Sequence, residues 1–152
     1  MSSNLEAALP TLLPLAISWA EDQSHRNWTV GVTLNERGVL MARSVGVRGP
    51  EQVRITTVDA MPLPENSILR AAAEQAGLIG PHLRGLTLGY TILWLRGQES
   101  QRLLSHELRH VHQYEAAGSI AAYVGQYLVQ MVKFGYVNAP FEVDARAYEI
   151  AA

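Results

Sequence analysis

His106-Glu107-Leu108-Arg109-His110 is the stretch on which the reading of this chain turns. On a helix, positions i and i+4 share a face, so the two imidazoles project side by side and can grip one divalent cation. Glu107 stands one step round the helix, placed to hold a water molecule rather than to ligate. The segment lies in a run without Pro or Gly, with Leu103, Leu104, Leu108 and Val111 as its apolar positions. A helix is therefore predicted from Glu99 or Ser100 to about Ala117, stopped by Gly118.

Two histidines leave a zinc ion short of ligands, because a catalytic site takes three from the protein and keeps one position open. The best third candidate is Glu142, in Asn138-Ala139-Pro140-Phe141-Glu142-Val143-Asp144-Ala145. A helix predicted over residues 119–133 reverses the chain, so that both ligand-bearing helices can face one point. Glu149, two turns further along, is the reserve candidate.

Working outward, Leu12, Leu15, Ala16, Trp19 and Ala20 are spaced helically after two prolines, which predicts an amphipathic helix over residues 12–27. A short helix is expected over 35–44, with Gly46 to end it. The alternation in Val53-Arg54-Ile55-Thr56-Thr57-Val58 predicts a strand. Glu65 or Asn66 caps a helix through Ala76, which Gly77 stops. The β-branched and aromatic run over residues 86–95 predicts a second strand, leading directly into the motif helix. After the helix ending at Gly135, Pro140 suits a first turn, so a last helix is expected over 141–151. The expected architecture is α+β in a single domain over residues 1–152, with a small sheet packed against the motif helix and a helical C-terminal half.

The sequence His106-Glu107-x-x-His110, then Gln113-Tyr114-Glu115, Gly135-Tyr136 and Pro140-Phe141-Glu142-x-Asp144-Ala145, resembles the compact gluzincin metallopeptidases, the minigluzincins. The resemblance spans residues 105–151; the N-terminal half carries none. It implies a zincin-like fold, zinc held by His106, His110 and Glu142, and Glu107 as general base in the cleavage of a peptide or protein substrate. Tyr136 is the first candidate to stabilise the oxyanion, with Tyr114, Tyr123 and Tyr127 as alternatives. Where thermolysin-like gluzincins carry an acidic residue four positions after the third ligand, this chain has Arg146. A zinc-bound imidazole normally donates its other N–H to such a group, so Asp144, Glu115 or a backbone carbonyl is expected to replace it. The strand over residues 86–95 is expected to offer an edge for an extended peptide.

Other classes fit less well. A net charge of −2 with dispersed Lys and Arg gives no footprint for nucleic acid. The absence of cysteine excludes disulfides and thiolate zinc sites. The first twenty residues carry Glu6 and two prolines and lack a basic lead, which argues against a secretory signal and for a cytoplasmic location. Residues 116–132 form the longest uncharged run, expected to be buried in the domain, with membrane-surface contact as the less favoured reading. The Tyr123, Tyr127 and Met131 stripe reads as core, His112 as a surface or partner-contacting residue, and the three tryptophans as anchors. The alternative to a peptidase is a zinc-binding domain without catalysis, or with its cleft covered by the N-terminal segment, acting through protein or membrane-surface interaction.

Overall fold

The computed structural model describes residues 2–151. In chain order these form α1 (Ser2–Val30), β1 (Val32–Thr33), α2 (Glu36–Ser44), a 3-10 turn (Pro50–Gln52), β2 (Arg54–Val58), α3 (Ser67–Gln75), β3 (Gly85–Leu88), β4 (Thr91–Leu95), α4 (Gln101–Ala117), α5 (Ile120–Asn138) and α6 (Pro140–Ala147). The mixed α+β character is as expected. The four strands run in the order β1-β2-β4-β3, with β2 and β4 parallel and both flanking pairs antiparallel.

Strand alternation sorts the two faces. Ile55 and Ile92 stand opposite one another and meet Leu108 and Val111 of α4 and Ala42 of α2 on one side. On the other side Thr91 Oγ1 donates to the Ser24 carbonyl of α1 at 2.8 Å, and Thr56 Oγ1 to that of Asn27 at 2.7 Å. Leu88 joins Ala20, Tyr114, Tyr123 and Val124 in a second core that links α1, α4 and α5. Helix α4 is thus held by its Leu108 and Val111 face, which leaves the His106 and His110 face turned towards α6.

Local chemistry explains the helix ends. Ser100 accepts from the Leu103 amide at the start of α4, Asn35 from Gly38 in α2, and Asn66 from Ile68 and Leu69 in α3, each satisfying an orphan first-turn donor. The helical run after Ser119 breaks at Gly135, where φ is 76°, as the sequence suggested.

Three boundaries differ from expectation. The predicted strand over residues 86–95 is a hairpin of two strands, because Gly89 takes φ 66° and turns the chain back on itself. The β content of the run was read correctly, but the glycine inside it marks the turn. Helix α1 begins ten residues earlier than predicted and runs through Pro10 and Pro14. A proline inside a helix costs about 3 kcal/mol. Burial of a large apolar side chain returns about 1.5–3 kcal/mol, and Leu5, Leu9 and Leu12 all turn inward from these turns. Helix α6 ends at Ala147 rather than 151, since the Ile150 amide donates to Ser105 Oγ at 2.8 Å and draws the chain end back against α4. Strand β1, two residues long, was not anticipated.

Candidate metal centre

The structure brings His106, His110 and Glu142 together: one donor atom from each lies within 4.8 Å of the other two. His106 Nε2 is 3.2 Å and His110 Nε2 3.4 Å from the same oxygen, Glu142 Oε1. Zinc ligand bonds of roughly 2.0–2.2 Å in a tetrahedron imply edges of about 3.3–3.6 Å between donors. Both edges to Glu142 match that spacing, and two imidazoles with a carboxylate are a donor set that suits zinc. Pro140 opens α6 and so puts Glu142 in its first turn, while α5 supplies the reversal that sets α6 against α4.

Each imidazole is oriented from behind. His106 donates from Nδ1 to Glu149 Oε2 at 2.8 Å. His110 Nδ1 lies 2.8 Å from Gln113 Oε1, and the rest of the network fixes the sense of that bond. Gln113 Nε2 donates to the Phe141 carbonyl and to Asp144 Oδ2, both at 2.9 Å, so the amide oxygen must face the imidazole and accept from it. Asp144 is in turn gripped by Arg109, whose Nε donates at 2.8 Å. Nδ1 of each ring therefore carries a proton; in the metal-free protein Nε2 also donates to the shared Glu142 oxygen, and that second proton is the one a cation would displace.

The expected substitutes for the missing acid at position 146 need correction. Glu115 accepts from the Arg48 and Gly49 amides and from Tyr90, and so clamps a loop away from the site. Asp144 acts one step removed, through Gln113. Glu149, the reserve ligand, fills the role instead, as the shortened α6 lets the chain curl back.

Electrostatics favour a positive charge at this point. Burial opposes protonation of both histidines, yet the Glu142 carboxylate outweighs it, raising His106 and pushing His110 up to about 9. Burial likewise works against ionisation of Glu142, but the hydrogen bonds from His106 and His110 hold its carboxyl far below the ordinary range. Its second oxygen accepts from Tyr127 at 2.8 Å.

Glu107 is 4% exposed and lies beside this group without joining it. Thr87 of β3 donates to its Oε1 at 2.8 Å, which aims the carboxylate. At Gly85, a Cβ would come within 3.0 Å of Glu107 Oε2, so glycine is what lets the edge strand approach so closely. Sequence reasoning missed Thr87; a hydroxyl in an amphipathic strand carries no signal of what it will face.

Tyr136 lines the same chamber as the donors, its ring edge-on to His82 at 5.8 Å. Burial raises its pKa, so the phenol stays neutral and keeps a proton to donate. Tyr123, Tyr127 and Met131, read as core, are also chamber wall. His112 is half-buried and bonds the Gly46 carbonyl at 2.9 Å, tying α4 to the end of α2. Trp28 and Trp94 anchor through their indole N–H groups to Gln52 and Thr57.

Comparison with protein-family models, curated proteins and solved structures finds no match to this chain. The class that fold and site define is therefore stated by the site itself: a two-histidine, one-glutamate centre with a separate buried carboxylate beside it.

Proposed function

We propose that this chain is a zinc-dependent hydrolase of peptide bonds, a compact gluzincin with a zincin-like fold. The observation that carries the reading is the convergence of His106, His110 and Glu142, from two helices and 36 residues apart at the extremes, with Glu107 aimed alongside. A zinc ion at this point would acidify water towards a pKa of about 7 and polarise a carbonyl. Glu107 takes the water's proton on its carboxylate, held in place by Thr87, and returns it to the departing amine. Tyr136 donates its phenolic hydrogen to the oxygen on which charge develops. Burial of these groups keeps bulk water out and strengthens each contact. Strand β3 lies at the sheet edge, next to α4, where an extended peptide can add as a further strand.

Zinc content after equilibrium dialysis, followed by peptide hydrolysis in the parent and in Glu107→Gln, tests the proposal. One zinc per chain in both and loss of cleavage only in the variant is the expected outcome. Equal cleavage by the two proteins would remove Glu107 from the mechanism.

One observation favours a second reading, a zinc domain blocked by its own N-terminus: α1 forms part of the wall of the cavity that the donors line. Deleting residues 1–11 leaves the Ser24 contact with β4 intact. A rise in cleavage on deletion would support the block, and an unchanged rate would count against it. No helix among the described residues is long and apolar enough to cross a membrane.

A further inference from the structure

The donors line one side of a chamber of about 180 Å³. Its polar wall is the metal centre and its partners, namely His106, Glu107, His110 and Glu142 with Tyr127 and Tyr136. Most of the remaining wall is apolar and comes from elements that hold no ligand: Leu9 and Leu12 of α1, Leu69 and Ala73 of α3, Leu128 and Met131 of α5. The space exists because α3 and the residue that caps it present alanines at 72, 73 and 76 where they meet the chamber; larger residues there would close it.

We infer that this chamber is a specificity site for one compact, uncharged side chain, leucine to phenylalanine in size, on the molecule whose carbonyl meets the metal centre. Size supports it: an apolar cavity on the order of 150 Å³ binds benzene and stays dry without it. Chemistry supports it too. A charged side chain entering this body would lose its water and find no opposite charge among the leucines and alanines. Both halves of the molecule are then accounted for, since α1 and α3, which contribute nothing to the ligand set, shape what the ligand set can act on. The identity of the molecule rests on the hydrolase reading, whereas the affinity of the walls for an apolar group does not.

The test separates the two. Toluene is titrated into the zinc-free full chain and followed by NMR. Saturable one-site binding is expected, with shifts confined to α1, α3 and the segment after it, β3, α5 and the site helix. Ala73→Phe should abolish it, and Ala73→Leu, a smaller insertion, should weaken it at least fivefold with circular dichroism unchanged. In the zinc-loaded protein, a series of straight-chain alkyl hydroxamates should gain about fourfold in affinity per methylene until the chamber is full. In Ala73→Leu the gain should stop earlier, with acetohydroxamate bound as in the parent. Absence of saturation by toluene, equal binding in the Ala73 variants, or a flat hydroxamate series in the parent would each overturn the inference. Failure to take up zinc while toluene still saturates would instead overturn the hydrolase reading and leave the apolar site standing.

Discussion

Gln113 is the residue through which α6 controls the orientation of His110, and replacing it with leucine isolates that control. Leucine has similar bulk but offers no oxygen to His110 Nδ1 and no donors to Phe141 or Asp144. Removing a partner that orients a ligating imidazole typically costs about 10–100-fold in metal affinity. Four hydrogen bonds are also lost, one of them the long 3.4 Å bond from Tyr123, and at about 1 kcal/mol net for each of the short ones stability should fall by on the order of 3 kcal/mol. For a chain of this length that lowers the melting temperature by roughly 6–12 °C. Gln113→Glu keeps an acceptor for His110 but sets a carboxylate against Asp144 Oδ2, now 2.9 Å from the amide nitrogen. It should therefore recover most of the zinc affinity without recovering the melting temperature. The assay is competition for zinc against a chromophoric chelator, beside thermal unfolding of the same samples. If Gln113→Leu bound zinc within twofold of the parent while remaining folded, the network would be packing and nothing more.

Zinc uptake should depend on pH in a direction set by His110. With its pKa raised from 6.5 to about 9, the imidazole holds a proton at neutral pH that a cation must displace. Apparent affinity should therefore climb at least tenfold per pH unit below about 9, and proton release on binding should be visible by calorimetry in buffers of different ionisation heat. In the metal-free protein the raised pKa contributes stability that is fully present below 6.5 and is lost as pH rises through about 9, while the depressed Glu142 contributes stability above its ordinary 4.5 that is lost as pH falls. Melting temperatures across pH 3 to 10 should accordingly peak between these limits; a flat profile refutes the coupling. Gly85→Val should push Glu107 from its seat and lower cleavage at least tenfold, with zinc content unchanged; loss of zinc as well would mean that β3 shapes the ligand set itself.

The grouping of the three candidate ligands was legible because it is written in local periods. The four-residue spacing of His106 and His110 fixes their shared face, and Pro140 announces the start of the helix that carries Glu142. The supports were not legible, because they depend on where separate elements dock. Glu149 reaches His106 only because α6 stops early, and it stops early because Ser105, more than forty residues upstream, captures the Ile150 amide. Thr87 faces Glu107 through a pairing of strand and helix that no spacing encodes. At the other end, the prolines of α1 suggested a helix starting after them; inward-facing leucines, which only a folded chamber rewards, carry the helix through both.

Those prolines leave a mark on how the molecule moves. Neither has an amide hydrogen, so the carbonyls of Glu6 and Pro10 lack their usual partners within α1, and its first turns are tied together by fewer bonds than any comparable stretch of the helix. Local opening starts where the fewest bonds must break. The portion of α1 nearest the apolar chamber is therefore also the portion that breathes at least cost, and a guest can enter or leave past it while Ser24 and Asn27 keep the remainder of the helix moored to the sheet.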